Sequence, residues 1–163
     1  MDIQIFRQAM SMLGAAVNVV TTDGNHGKGG FTATAVCSVS DSPATILFCL
    51  NKKNAQFDIF FNNETFAVNV LSSEHEQVSN YFGGSIAASI EDRFSIAEWK
   101  KGYNNAPVLT NSLCSIECKI VERKFLATHC IFFCEVTYIH IGKPSANLLY
   151  FNRKYHNISL DRH

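Results

Sequence analysis

The richest set of chemistry-bearing side chains lies in residues 30–40, where Thr32, Thr34 and Ser38 occupy alternate positions of an extended run. Phe31, Ala33, Ala35, Cys37 and Val39 take the other positions, so an apolar face backs a hydroxyl face. Downstream, Asn51, Lys52, Lys53 and Asn54 form a polar break. Hydroxyls, free backbone N–H groups and a cation in one place are what a phosphate requires. The plainer reading is that threonine favours strands and the lysines coat a turn. His129 is a second candidate, in the run Ala127-Thr128-His129-Cys130-Ile131-Phe132-Phe133. A histidine there is either a binding group or a satisfied core or edge residue. The third is Tyr150-Phe151-Asn152-Arg153-Lys154-Tyr155-His156. Aromatics interleaved with cations suit a flat ligand carrying phosphates, and equally a C-terminal edge strand.

The elements that must position these residues follow from periodicity. Phe6, Met10 and Leu13 share a helical face over 6–13, and Gly14 ends it. A strand is expected over 15–22, a turn at Asp23-Gly24-Asn25, and a single strand over 30–40. Asp41-Ser42-Pro43 turns the chain into a buried strand over 45–50. Asn54 is placed to cap a short helix over 55–61. After a strand over 65–71, Ser73 and Glu76 have capping-box spacing, and Gly83-Gly84 closes that helix. Residues 85–109 are irregular, and strands are expected over 113–121, 126–139 and 147–151. Strands outnumber helices and connections are short, which favours a mainly β (α+β) fold, an antiparallel barrel with a few covering helices.

The 163 residues suit one domain spanning 1–163, since no repeat, linker or composition break divides them. With 47% hydrophobic and 17% charged residues, the composition excludes a disordered chain. A formal net charge of zero argues against a nucleic-acid binder. Apolar runs are too short to span a bilayer, and Met1-Asp2-Ile3-Gln4 lacks a basic export region, so a cytoplasmic, membrane-free protein is expected. Cys37, Cys49, Cys114, Cys118, Cys130 and Cys134 lie in strand-like apolar runs without metal-ligand spacing; buried free thiols and no metal are expected. The glycines at 24, 27, 29 and 30 do not make a dinucleotide-binding loop, and no hydrolase, zinc-protease or phosphate-loop motif is present.

Three stretches nevertheless resemble one known family: Phe6-Arg7-Gln8-Ala9-Met10, Ala15-Ala16-Val17-Asn18-Val19-Val20-Thr21-Thr22, and the whole of 31–40. They look like the short-chain flavin reductases of two-component monooxygenases, and most like the reductase component of 4-hydroxyphenylacetate 3-monooxygenase. The likeness continues through 66–71, Glu91-Asp92-Arg93-Phe94-Ser95 and Trp99-Lys100-Lys101-Gly102, and ends in 148–156. It implies a split β-barrel of the FMN-binding type, a homodimer, and an oxygenase partner that receives reduced flavin. It implies hydride transfer from NADH or NADPH to FMN or FAD, with no protein nucleophile and no proton-transfer residue. Flavin contacts are implied at Thr32, Ala33, Thr34, Ala35, Ser38, Val39, Asn51, Lys52, Lys53, Asn54 and Phe82. Nicotinamide contacts are implied at His129, Tyr150, Phe151, Asn152 and Arg153. Where the family often has a small hydroxyl residue this chain has Asn54, and where it often reads Gly-Asp-His this chain reads Ala127-Thr128-His129. A related reductase of pyrimidine breakdown, a non-catalytic FMN carrier or sensor, and a ligand-free barrel are the competing readings.

Overall fold

The structure is a computed structural model and describes residues 1–159. The chain opens with α1 (Ile3–Ser11), capped by Asp2, whose side chain accepts from the Gln4 N–H at 2.7 Å. It continues through β1 (Ala15–Ala16), β2 (Asn18–Gly24), β3 (Gly27–Ala33), β4 (Val36–Asp41) and β5 (Ala44–Asn51). Then come α2 (Phe57–Asn62), β6 (Thr65–Val70), α3 (Glu76–Phe82), α4 (Ile90–Ser95), β7 (Trp99–Lys101) and β8 (Pro107–Leu109). The long hairpin β9 (Cys114–Leu126) and β10 (His129–Ile141) precedes a terminal hairpin, β11 (Asn147–Phe151) and β12 (Lys154–Ile158).

Seven strands pair antiparallel in the order β3-β2-β6-β9-β10-β5-β4, and three more in the order β1-β11-β12. Val17 joins the two sheets: its N–H donates to the Leu148 carbonyl at 2.9 Å, and its carbonyl accepts from Leu71 at 3.0 Å. The seven-stranded sheet curls. Phe31 of edge strand β3 reaches Phe48 of β5 with ring centroids 6.0 Å apart, although no ladder among the described residues closes β3 onto β4. The core fills that curl. Phe48 stacks on Phe132 at 4.9 Å and meets Phe66 edge-on at 5.5 Å, and Phe60 of α2 lids the cluster. Each such buried ring stabilises by about 2 kcal/mol. A second cluster, with Val19, Leu71, Phe82, Phe94 and Leu148, lies beneath α3 and α4.

Several expectations need correcting. Residues 30–40 are two strands, because β3 pairs with β2 and β4 with β5, at opposite edges of the sheet. The chain breaks at Thr34-Ala35, where Val36 N–H donates back to Thr34 at 3.0 Å and Ala35 accepts from Cys49 at 3.2 Å. Thr32, Thr34 and Ser38 therefore share no single strand face. The capping box sits one residue earlier, at Ser72 and His75, with the imidazole replacing the expected carboxylate. Asn54 is not the cap of α2; its side chain accepts from Gln56 N–H at 2.8 Å, a turn leading into the helix. Four elements go beyond the expectation: α4, β7 and β8 within 85–109, and β12 after 151. The two strands expected over 113–121 and 126–139 meet in a two-residue turn at Ala127-Thr128, with Ala127 at φ 49°. Cys118, Cys130 and Cys134 are buried, but Cys49 and Cys114 are half-buried and Cys37 is exposed on edge strand β4.

Candidate functional site

Two adjoining grooves share Thr34 and Tyr150. The inner one, about 260 Å³, is lined by Val17, Thr32, Ser79, Gly83, Ser85 and Tyr155 besides the shared pair. The outer one, about 470 Å³, lies under α1 and adds Gln4, Arg7, Met10 and Arg153.

Thr32 is half-buried near the end of β3, and its hydroxyl donates to the Ser79 carbonyl at 2.7 Å. That bond ties α3 to the strand and leaves the hydroxyl's lone pairs as acceptors. Ser79 Oγ and Tyr155 Oη lie 2.8 Å apart, and Tyr155 Oη donates to Asn80 at 3.1 Å. Tyr155 is thereby held against Tyr150, their rings 5.3 Å apart and near perpendicular. At the groove floor, a Cβ on Gly83 would lie 2.9 Å from the Ser79 carbonyl oxygen, so only glycine leaves this wall open without a shift. Thr34 is exposed at the break between β3 and β4, where backbone groups leave the ladder.

The other wall comes from the terminal hairpin. Asn152 and Arg153 both take positive φ, 48° and 61°, as the central residues of a tight turn between β11 and β12. An arginine in this left-handed region carries backbone strain, which concentrates at functional positions. The turn docks on α1 through Asn152 N–H donating to Ser11 at 2.7 Å. Phe151 is exposed beside His156, with rings 5.8 Å apart.

A second constellation stands apart on the larger sheet. His129 is the first residue of β10 and is exposed, paired with Asn51 across the ladder to β5. Its Nδ1 lies 2.9 Å from Thr128 Oγ1, so the threonine hydroxyl contacts the ring where the family often has a carboxylate. Lys52 N–H donates to the Thr128 carbonyl at 2.9 Å and Asn51 Oδ1 accepts from Lys53 N–H at 2.9 Å, which docks the 51–54 loop beside this histidine.

The structure thus brings Thr32, Thr34, Tyr150 and Arg153 into two adjoining grooves that share Thr34 and Tyr150, and Asn51, Lys52 and His129 into another neighbourhood. Four expected residues lie elsewhere. Phe82 is buried beneath α3, 5.1 Å from Phe94 and 5.5 Å from Trp99, with its neighbour Gly83 in the groove wall. Ala33 belongs to the core, and its carbonyl accepts from Asn18 at 3.2 Å. Ser38 and Val39 sit on edge strand β4, Val39 as the extra residue of a bulge. Sequence reasoning missed Arg7, Ser79 and Tyr155. Tyr155 lay inside a stretch already singled out, whereas nothing local marks Arg7 or Ser79 as groove residues.

Aromatic walls, hydroxyls and two guanidiniums along one cleft fit a flat heterocycle carrying phosphate, in a volume usual for such ligands. The family profile for the flavin reductase like domain matches residues 10–159. The chain belongs to this flavin reductase-like family. It is 47% identical to a protein of Acinetobacter baylyi named FMN reductase (NADH) RutF, covering 94% of this chain and 81% of that one. The RutF of Escherichia coli O157:H7 is 45% identical, with 95% and 93% covered. Among solved structures, an NADH:FAD oxidoreductase of Streptomyces globisporus, in complex with NAD and FAD fragments, superposes with a TM-score of 0.89 at 26% identity. That match covers 99% of this flavin reductase-like chain and 96% of the other.

Proposed function

We infer that the chain is an NADH-dependent flavin reductase that reduces FMN or FAD and supplies the reduced flavin to an oxygenase. The observation that carries this reading is the pair of adjoining grooves joined at Thr34 and Tyr150, the inner with Thr32 and Tyr155 and the outer with two arginines, in a chain matched by the family over 10–159. When flavin and dinucleotide are bound, hydride passes from the nicotinamide C4 to the isoalloxazine N5, chemistry the cofactors themselves supply. The chain contributes position. Tyr150 gives an aromatic wall shared by both grooves, Gly83 keeps the floor open, and Thr32 and Thr34 offer hydroxyl oxygens. His129, set against Thr128, and the Lys52-Lys53 loop supply cationic or donor groups for a dinucleotide or flavin tail. This is catalysis by proximity and orientation.

The quaternary reading is a homodimer built from split barrels. Tyr150 lies on the three-stranded sheet and His129 on β10 of the seven-stranded one, and in the homodimer reading a second copy would set one beside the other. Exposed apolar residues provide the means: Phe6 and Met10 on α1, Phe125 and Leu126 at the long hairpin tip, and Ile139 and Ile141 on β10. No helix among the described residues is long and apolar enough to cross a membrane, and a cytoplasmic site of action is part of the proposal. For the oxygenase partner, the RutF name of the relatives favours a pyrimidine-degrading system over 4-hydroxyphenylacetate hydroxylation.

The test is NADH oxidation in air by the purified chain, followed by absorbance with and without FMN, then with FAD and NADPH. Flavin-dependent turnover is expected. FMN binding without NADH oxidation would make the chain a flavin carrier instead.

A further inference from the structure

The outer groove holds two arginines from opposite ends of the sequence. Arg7 lies on α1, on the helix face that also carries Gln4 and Met10, and Arg153 lies at the turn of the terminal hairpin. Among the described residues no carboxylate lines this groove. No described carboxylate lies within ion-pair distance of either guanidinium. The two are held in place by backbone features unrelated to their charge. Asn152 N–H bonds the Ser11 carbonyl at 2.7 Å, fixing hairpin to helix, and Arg153 occupies a strained left-handed backbone position at φ 61°. Two guanidiniums lining one cleft with no described acid beside them offer an anion charge-assisted donors from two sides.

We propose that Arg7 and Arg153 together form an anion subsite that takes a phosphate group of the ligand, with α1 as its outer wall. The inference rests on the flavin reductase reading and adds to it a residue, Arg7, that no strand or loop of the flavin-facing groove supplies. Guanidinium forks suit the bidentate geometry of phosphate, and Thr34 and Tyr150, shared with the inner groove, would connect this subsite to the ring. The phosphate has two sources: the flavin tail, or the pyrophosphate of the dinucleotide.

The experiment compares wild type with Arg7→Gln and Arg7→Lys. Dissociation constants for FMN and for riboflavin, which lacks the phosphate, are read by flavin fluorescence, and KM for NADH by turnover. Loss of a charge-assisted contact is expected to weaken the phosphate-bearing ligand by about tenfold, with Arg7→Lys intermediate. If the flavin tail is the source, FMN weakens in Arg7→Gln while riboflavin and the NADH KM hold. If the dinucleotide is the source, the NADH KM rises and both flavin constants hold. The proposal is overturned if all three quantities stay within about twofold of wild type. It is equally overturned if FMN and riboflavin weaken alike, since α1 would then act by packing alone. A wild-type chain that binds FMN but leaves NADH untouched would sink the reductase reading, and the FMN–riboflavin comparison would still decide the subsite.

Discussion

At the scale of single residues, Arg153 combines backbone strain with a charge in the groove. A non-glycine residue in the left-handed region costs about 1 kcal/mol. Arg153→Gly removes that strain, but glycine also gains freedom in the unfolded chain worth about 0.5–1 kcal/mol, so the two nearly cancel. The expected outcome is a Tm within about 2 °C of wild type, accompanied by weaker binding of FMN or NADH. A scanning calorimeter and a ligand titration read the two effects separately, and a fall in Tm well beyond that range would show that the side chain is a packing element. His75 supplies a prediction about pH. Burial lowers its pKa from the ordinary value of 6.5, against a smaller opposing pull from Glu74. Its Nδ1 accepts from Ser72 N–H at 3.1 Å, which requires that nitrogen unprotonated. Below about 6.5 the unfolded chain takes up a proton that the folded chain refuses, so stability contributed by neutral His75 is present above that value and is lost as pH falls. Thermal melts at pH 7.5 and pH 5 should therefore differ more for wild type than for His75→Asn, which keeps an acceptor and cannot titrate.

At the scale of elements, the turn between β7 and β8 is tied to the long hairpin by one buried carboxylate. Glu117 of β9 is fully buried; it accepts from Tyr103 N–H at 3.0 Å and Asn104 N–H at 2.7 Å, and meets His140 Nε2 at 2.6 Å. Gly102 passes so close that a Cβ there would lie 2.7 Å from the carboxyl carbon. Glu117→Gln replaces an acceptor by an N–H₂ donor facing these donors, and breaking such a buried pair costs about 3 kcal/mol. Tm should fall by about 8 °C for a chain of this size, with turnover per folded molecule unchanged because the groove is elsewhere. Loss of turnover at a temperature where the variant is folded would place the 102–106 loop in the site. Much of this level was legible in the sequence. Alternating Phe, Val and Ile marked the strands, and Gly83-Gly84 marked the end of α3. What stayed hidden was register and edge. Nothing within 30–40 reveals that its halves pair at opposite sides of a sheet, since that depends on partners at Val19 and Phe48. The turn at Ala127-Thr128 carries none of the usual glycine or asparagine signals, and the Ser72–His75 box uses an imidazole where the familiar pattern uses a carboxylate.

At the scale of the molecule, the exposed apolar residues are what support the proposed homodimer. Ile141 is 81% exposed, Ile5 and Leu13 64%, and Leu126 62%. The expected outcome is a mass twice that of the chain in analytical ultracentrifugation, with Phe125→Asp or Ile139→Asp shifting it toward the single chain and lowering NADH oxidation in parallel. A monomer with full turnover would remove the second copy from the site. The site's composition was legible in pieces, because Thr32, Thr34 and the 150–156 stretch stand out by residue type. Its assembly was not, since Arg7, Ser79 and Tyr155 come from three distant segments: the Ser79–Tyr155 contact builds the inner groove, and the docking of hairpin on helix sets Arg7 and Arg153 along the outer one.

That docking also orders events during synthesis. The Ser11–Asn152 hydrogen bond joins the first helix to the last hairpin, and Tyr150 and Arg153 wall the cleft. A nascent chain still lacking residues 147–158 has none of Tyr150, Arg153 and Tyr155, so on the proposed site the cleft would be completed only late in translation, and a chain terminated before the hairpin would bind flavin more weakly than the full one.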